Sequence, residues 1–192
     1  MGKIIGLTGP TGAGKSSLCI VAERLGIRVI DCDAVARAES ENKEMLNALC
    51  AEFGQDILKD GTLNRRLLAE RAFASAERTD KMNSIMLPFI CKRIESMLAD
   101  DDVILDAPTL FESGLNTCCD AVIGVLAFEK IRKERILKRD SLSDEQAKSR
   151  LGAAKSDEFF KSHCDFIIYN NESEAAFLSE AEALLKQITE GK

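Results

Sequence analysis

The stretch GPTGAGKS at residues 9–16 is the most informative part of this chain. It follows the apolar run KIIGLT (3–8) and precedes a stretch of helical composition (16–25), so it satisfies the pattern G-x-x-x-x-G-K-[ST] in a strand–loop–helix setting. In such a loop the glycines let successive backbone N–H groups point inward around a phosphate, and the helix adds its positive N-terminal end. A glycine-rich turn that caps a helix by chance is disfavoured, because the preceding strand and the adjacent serine are both present. The stretch, called the phosphate loop below, therefore predicts a nucleotide site.

Different residues of this loop are expected to bind the phosphates and the metal ion. Lys15 should reach the β and γ phosphates, and the Ser16 hydroxyl can bind Mg²⁺. We expect ATP to contact the loop and the serine after it, namely Gly9, Pro10, Thr11, Gly12, Ala13, Gly14, Lys15, Ser16 and Ser17. The loop does not select a reaction, because GTPases, ATPase motors and small-molecule kinases share it.

Short apolar runs alternate with helical stretches along the chain. The runs are KIIGLT (3–8), RVID (28–31), VILDA (103–107), AVIGVLAF (121–128) and DFIIY (165–169). Because they are apolar throughout, they suit strands buried on both faces of a parallel sheet. Helical composition is found at 16–25, 43–53, 65–98, 129–139 and 172–188. The alternation predicts an α/β fold of the P-loop NTPase type, with three layers and a five-stranded parallel sheet.

The spacing of these elements predicts one kinase domain with two helical additions. About seventy residues without a strand-like run separate the second and third predicted strands, more than a crossover helix needs. We therefore expect a single domain over 1–192, with a core (1–35, 100–128 and 160–192), a helical substrate-binding insertion (36–99) and a helical lid (129–159).

Composition excludes several other classes of function. The net charge of −6 argues against general affinity for nucleic acid, and no run approaches the ~20 apolar residues of a membrane span. The seven cysteines include no CxxC pair and are accompanied by one histidine, which predicts reduced, mostly buried thiols rather than a metal site. We expect a cytoplasmic protein that works on small molecules, without an obligate protein partner.

Two carboxylates follow the second predicted strand in VIDCDAVAR (29–37). If this strand lies near the first one in a parallel sheet, Asp31 and Asp33 emerge at the edge that faces the γ-phosphate. One aspartate could accept the proton of an attacking hydroxyl, and its neighbour could help to hold the metal shell. The alternative is that one of them, Asp33 most readily, caps the following helix. The phosphate loop upstream favours a functional role for at least one of the pair.

Further charged residues extend the expected site. Arg132, Arg135 and Arg139 share one helical face, as in an arginine-bearing lid, although a solvated face is favoured for Arg132 and Lys133. Asp106 ends the third predicted strand and could order Mg²⁺ or its waters. We expect Ser143 and Gln146 to form a capping box at the start of a helix.

The sequence resembles the dephospho-coenzyme A kinase family. GLTGPTGAGKSS (6–17) followed by VIDCDAVAR is similar to that family's GLTGGIGSGKS-type loop and IDAD-x-IA-[RH] segment. The likeness continues in order through FGQDILKDGTLNRRLL (53–68), MLPFI (86–90), LDAPTLFESGL (105–115), KRDSLSDEQAKSR (138–150) and CDFIIYNN (164–171). It implies ATP-dependent phosphorylation of the ribose 3′-hydroxyl of dephospho-coenzyme A, the last step of coenzyme A synthesis. It also implies that Asp33 is the catalytic base, Asp31 a supporting carboxylate and Arg139 a contact to ATP.

The resemblance also suggests where the two substrates lie. The acceptor would meet Asp31, Asp33, Arg37, Arg65, Asp106, Leu110, Phe111 and Glu112. Phe111 is equally well explained as core, and Arg65 and Arg66 either pair with the acceptor's pyrophosphate or decorate a helix. Asn171, with Asn170, would border the adenine of ATP or form a turn.

Three departures from the family pattern leave alternatives open. Leu87 stands where the family usually has histidine, GAAK (152–155) where it usually has glutamine, and APTLFE (107–112) where it has VPLLFE. A kinase for another nucleoside, nucleotide or sugar acid, or an impaired nucleotide-binding paralogue, remains possible on these grounds. A GTPase switch is disfavoured, because the sequence contains no NKxD-like guanine motif.

Overall fold

A computed structural model describes residues 2–98, 100–140, 143–152 and 154–191 of the chain. The strands are β1 (Ile4–Thr8), β2 (Arg28–Asp31), β3 (Leu58–Lys59), β4 (Thr62–Leu63), β5 (Val103–Asp106), β6 (Ala121–Leu126) and β7 (Phe166–Tyr169). The helices are α1 (Lys15–Arg24), α2 (Cys32–Glu39), α3 (Lys43–Phe53), α4 (Arg65–Ala72), α5 (Ala76–Met97), α6 (Glu129–Asp140), α7 (Asp144–Gly152), α8 (Asp157–His163) and α9 (Glu174–Glu190). Short 3-10 helices span Gln55–Ile57 and Leu115–Cys118.

The predicted five-stranded parallel sheet is confirmed, with strand order β2-β5-β1-β6-β7. Its register pairs Asp31 with Asp106 and Asp106 with Leu7, so the last residues of β2 and β5 lie beside the end of β1. Both faces are covered, since one core cluster joins the sheet to α1 and α9 and another joins it to α2 and α5. Parallel strands bring their carboxyl ends to one edge, and that edge carries the phosphate loop.

The insertion between β2 and β5 differs from the sequence prediction in two respects. It contains a small antiparallel pair, β3 and β4, joined by Asp60 and Gly61, both with positive φ (52° and 78°). The Asp-Gly dipeptide is the sequence feature that predicts such a hairpin. The helix expected over 65–98 is instead two helices, because Ser75 caps α5 by accepting a hydrogen bond from the Arg78 N–H. The insertion has its own apolar core, centred on Met45, Leu49 and Phe53.

The segment expected to form a lid consists of α6, α7 and α8. The capping box is confirmed, because the Ser143 N–H donates to the Gln146 side chain (3.0 Å) and the Gln146 N–H donates to Ser143 Oγ (3.3 Å). The solvated face expected for Arg132 is wrong: its side chain is buried, and its Nε and Nη1 have no hydrogen-bond partner among the described residues. Ala153, within the GAAK segment, lies outside the described residues.

The cysteine prediction is wrong for one pair. A disulfide joins Cys91 of α5 to Cys118, 27 residues later, and thereby attaches the insertion to the segment that follows β5. Cys19, Cys32, Cys50, Cys119 and Cys164 are free thiols. Spacing along the chain did not indicate the pair, since only the fold brings α5 against the 3-10 helix that carries Cys118.

Within the described ranges, none of the helices has both the length and the hydropathy that a bilayer crossing requires.

Candidate functional site

The phosphate loop is a glycine-shaped turn between β1 and α1. Gly9, Gly12 and Gly14 have φ values of 142°, 81° and 104°, which side chains with a Cβ rarely adopt. Gly14 is the N-cap residue of α1 and offers no side chain to the first turn. The Ser17 N–H donates to the Gly14 carbonyl at 3.0 Å, whereas the Lys15 and Ser16 N–H groups have no partner among the described residues and can meet a ligand. Inside the turn, the Ala13 N–H donates to the Pro10 carbonyl at 3.1 Å. The loop therefore presents backbone donors and the positive end of a helix to one point.

Lys15 extends across this turn. Its Nζ donates to the Gly9 carbonyl at 2.8 Å. Burial lowers the pKa of the Lys15 ammonium, while the nearby carboxylates of Asp106 and Asp33 act in the opposite direction. The ammonium is thus held beside the loop by its own backbone and lies within the field of two acids.

A cavity of about 800 Å³ opens in front of the loop. Part of its wall is the loop and the start of α1, and the rest comes from the end of β5 and the residues after it, from α6, from the residue after β7 and from the start of α9. The residues that line it are Thr11, Gly12, Gly14, Lys15, Ser16, Ser17, Asp106, Pro108, Arg135, Lys138, Arg139, Asn170, Glu174 and Phe177. Its size and its basic side chains are compatible with a nucleotide.

Asp106 contributes a half-buried carboxylate to this cavity. Its Oδ1 is buried and has no hydrogen-bond partner among the described residues, whereas its Oδ2 accepts a weak bond from the Cys19 thiol at 3.8 Å. Burial raises the pKa of Asp106, against the opposing effect of Lys15. Burial and the same carboxylate raise the pKa of Cys19 to about 12, so this thiol stays protonated and can act as the donor. The free Oδ1 is an oxygen that a bound cation or its water could use.

The two aspartates of VIDCDAVAR have different roles in the structure. Asp31 is the N-cap of α2, since its Oδ1 accepts a hydrogen bond from the Ala34 N–H at 2.9 Å. The capping role that the sequence suggested for Asp33 therefore belongs to Asp31. Asp33 lies in the first turn of α2 and is exposed, and its side chain makes no hydrogen bond or ion pair within the described chain. Its carboxylate is available to a ligand.

Two arginines lie on the insertion side of these carboxylates. Arg37, one turn after Asp33, is 3.7 Å from the Asp31 carboxylate. Arg65 begins α4 and donates from Nη2 to Ser40 Oγ (2.7 Å) and to the Arg37 carbonyl (3.2 Å). The contact brings the start of α4 to the end of α2.

Of the three arginines on the face of α6 that the sequence singled out, Arg139 and Arg135 line the cavity. Arg139 is mostly exposed and pairs with the neighbouring Asp140 at 2.7 Å, which raises the pKa of the guanidinium. Arg135, to which sequence reasoning gave no role of its own, donates to the carbonyls of Gly12 and Ala13 at 3.3 Å each. It was already on the predicted arginine face, but its contact with the loop depends on where α6 packs.

Asn170 and Asn171, the two residues after β7, make contacts that the sequence did not predict. Asn171, which was expected to border the adenine, accepts a hydrogen bond from the Phe128 N–H at 2.7 Å and is not part of the cavity wall. Asn170 lines the cavity and is buried, with its Nδ2 donating to the Ala13 carbonyl at 3.0 Å. The residue beside the loop is therefore Asn170.

The segment after β5 divides into a core residue and two more exposed ones. Leu110 is fully buried against Gly6, so the structure gives it a packing role instead of the expected contact with the acceptor. Phe111 packs edge-on against Phe159 (5.4 Å between ring centroids). Glu112 is exposed, with Lys155 of the GAAK segment 4.0 Å from its carboxylate.

Comparisons with known proteins give one consistent result. The family model described as dephospho-CoA kinase matches residues 3–176. A dephospho-CoA kinase of Fusobacterium nucleatum is 32% identical over 189 residues, covering 96% of this chain and 94% of that protein. Among solved structures, TT1252 from Thermus thermophilus has a TM-score of 0.76 with 30% identity and covers 98% of each chain. Dephospho-CoA kinase from Campylobacter jejuni has a TM-score of 0.67 with 28% identity, covering 100% of this chain and 99% of that one.

Proposed function

Because this chain belongs to the dephospho-CoA kinase family, we propose that it transfers the γ-phosphoryl group of ATP to the ribose 3′-hydroxyl of dephospho-CoA. The product is CoA, and the reaction is the final step of CoA biosynthesis. The observation that carries the proposal is the sheet edge where the phosphate loop, Lys15 and the carboxylates of Asp33 and Asp106 lie together. A phosphoryl acceptor could reach a bound γ-phosphate at that edge.

ATP would bind with its phosphates in the cavity in front of the loop. The free N–H groups at the start of α1 would receive phosphate oxygens, and Lys15 would neutralise charge on the β and γ phosphates. Arg139 would add positive charge from the lid as charge spreads over the transferred group. Residues 129–159 act as the lid in this proposal, residues 36–99 as the substrate-binding insertion, and the whole chain as one kinase domain.

Asp33 is the proposed catalytic base. It is exposed in the first turn of α2, it is free of other contacts, and it lies near enough to Lys15 to influence the pKa of that lysine. A base must reach the proton of the attacking hydroxyl when the hydroxyl lies in line with the γ-phosphate. Asp31 supports this arrangement indirectly, by fixing the start of the helix that carries Asp33.

The residues present fit a magnesium ion. The unpartnered Oδ1 of Asp106 and the Ser16 hydroxyl are oxygen donors of the kind that Mg²⁺ prefers, and both residues line the cavity. Asp31, beside Asp106 in the sheet register, could contribute through water. Bound Mg²⁺ would neutralise phosphate charge and orient the β and γ phosphates.

The acceptor would lie between the insertion and the segment after β5. Arg37, which is paired with the Asp31 carboxylate, and Arg65, whose guanidinium contacts the Arg37 carbonyl, would bind the pyrophosphate of dephospho-CoA. Phe111 and Glu112 belong to that segment, and the Asn83 side chain of the insertion donates to the Glu112 carbonyl. A cytoplasmic location, expected from the sequence, is part of this proposal.

The test is ADP release from Mg·ATP with dephospho-CoA as acceptor, beside a panel of nucleosides, nucleotides and sugar acids. We expect turnover with dephospho-CoA and a product phosphorylated at the 3′ position, checked by mass and by phosphate position. Lys15→Met serves as the control, since it should weaken both ATP binding and transfer. Measurable ATP binding without transfer to dephospho-CoA would contradict the proposal, and transfer to another panel member would identify the acceptor instead.

A further inference from the structure

Two side chains hold the backbone carbonyl of Ala13 in the phosphate loop. Asn170 Nδ2 donates to it at 3.0 Å, and Arg135 Nη1 donates to it at 3.3 Å. Arg135 Nη2 also donates to Asn170 Oδ1 (2.9 Å) and to the Asn170 backbone carbonyl (3.1 Å). Because its Oδ1 receives Arg135, the amide of Asn170 must turn its Nδ2 toward Ala13. Each residue thus supports the other's contact.

This contact determines the direction of a backbone donor. The Ala13 carbonyl and the Gly14 N–H belong to one planar trans peptide, so they point in opposite directions. The Ala13 N–H is already used by the Pro10 carbonyl, whereas Gly14 lines the cavity. Fixing the Ala13 carbonyl against Asn170 and Arg135 therefore fixes the Gly14 N–H in the opposite direction, where it has no partner among the described residues and can donate to a bound phosphate. A reversed peptide would present a carbonyl oxygen to that anion.

The packing around Asn170 shows how closely the peptide is held. The side chain is only 5% exposed. A Cβ added to Gly14 would lie 2.1 Å from Asn170 Nδ2, so glycine is needed there both for its φ of 104° and for this approach. Both ends of the Asn170 amide are satisfied by Ala13 and Arg135, which leaves it little freedom to rotate.

We propose that Arg135 and Asn170 are a positioning pair, which fixes the peptide between Ala13 and Gly14 so that the Gly14 N–H is directed at a nucleotide phosphate. The pair acts through the loop and not by its own contact with the reacting atoms. Arg135 lies one turn before Arg139 on α6, so the pair also ties the lid helix to the loop. The proposal rests on the use of a nucleotide phosphate in the proposed function.

Binding of inorganic pyrophosphate and of adenosine, each measured by displacement of a fluorescent ADP analogue, separates this role from others. We expect Arg135→Met and Asn170→Ala each to weaken pyrophosphate binding about tenfold, the equivalent of roughly one net hydrogen bond, and to leave adenosine binding unchanged. The double variant should also lose about tenfold, not the roughly hundredfold loss of independent effects, because both side chains act through one carbonyl. Lys130→Met removes an exposed charge from the same helix and should change neither affinity.

Asn170→Asp tests the same contact with a side chain of unchanged shape. It keeps the bond from Arg135, but it places an oxygen opposite the Ala13 carbonyl. We expect the same loss of pyrophosphate affinity. Because the new oxygen is buried against another oxygen, the thermal midpoint should fall as well, so binding is measured well below the midpoint of each variant, where each is folded.

Three results would overturn the positioning role: unchanged pyrophosphate binding, losses that multiply in the double variant, or a loss confined to adenosine. These measurements need no acceptor. Failure of the unsubstituted protein to phosphorylate dephospho-CoA would therefore count against the proposed function alone.

Discussion

Substituting Asp33 and Asp31 one at a time tests whether Asp33 is the catalytic base. Asp33→Asn removes a proton acceptor and keeps the shape of the side chain, while Asp33 makes no hydrogen bond within the described chain that the change could break. We expect kcat for dephospho-CoA phosphorylation to fall about 100- to 10,000-fold, the usual contribution of a general base. The affinity for ADP and the free energy of unfolding should change little.

Asp31 gives the contrasting result, because its structural role is a helix cap. Loss of its bond to the Ala34 N–H in Asp31→Ala should lower the free energy of unfolding by about 1 kcal/mol. In a chain of this length that lowers the thermal midpoint by about 2–4 °C. The exposed ion pair with Arg37 adds little to this figure. Asp31→Asn should recover most of the stability, since asparagine also caps helices well.

The assays are steady-state kinetics with dephospho-CoA, displacement of a fluorescent ADP analogue and thermal unfolding of all three variants. Near-normal kcat in Asp33→Asn would refute the assignment of the base. A loss of stability in Asp33→Asn that matches Asp31→Ala would show that the cap has been assigned to the wrong residue.

Substitutions at Gly14, Asp106 and Cys118 test three other features of the structure. Gly14→Ala should weaken ADP binding and lower the free energy of unfolding by at least about 1–2 kcal/mol, because φ is 104° and the new Cβ would meet Asn170; urea unfolding and ADP displacement check this. Burial raises the pKa of Asp106 in the native state above its value in the unfolded state, so the native state binds the carboxyl proton more tightly. Above the native pKa, where the carboxylate is ionised in both states, its burial lowers the free energy of unfolding. Asp106→Asn should therefore stabilise the protein against urea at neutral pH, and the gain should vanish as the pH falls below 3.8, the ordinary value; a gain independent of pH would contradict this. The unreduced, unfolded protein should show five titratable thiols and not seven, and seven thiols would disprove the disulfide. Cys118→Ser should lower the free energy of unfolding by about 3 kcal/mol, because the bond to Cys91 closes a loop of 27 residues.

Local interactions made part of this protein predictable. The phosphate loop was visible in the sequence because glycine spacing, a lysine and a serine are all required within eight residues, between one strand and one helix. The strands were visible because burial on both faces demands continuous apolar runs. The capping box of Ser143 and Gln146 is equally local, with both of its hydrogen bonds spanning three residues.

Contacts between distant segments were not predictable in the same way. Arg135 and Asn170 meet the loop across more than a hundred residues of chain, and only the strand order β1-β6-β7 brings them to it. The same holds for the disulfide of Cys91 and for the burial of Arg132, which periodicity assigned to a solvated face.

Sequence alone was enough to predict a nucleotide phosphate site at the carboxyl edge of a parallel sheet, with two acids near it. The tertiary structure decided which acid caps a helix and which is free, and which side chains orient the loop. The two groups of features differ in how far apart along the chain the interacting residues lie. Backbone conformation and helix caps depend on neighbours a few residues away. The direction of one carbonyl or carboxylate depends instead on whatever the fold packs against it.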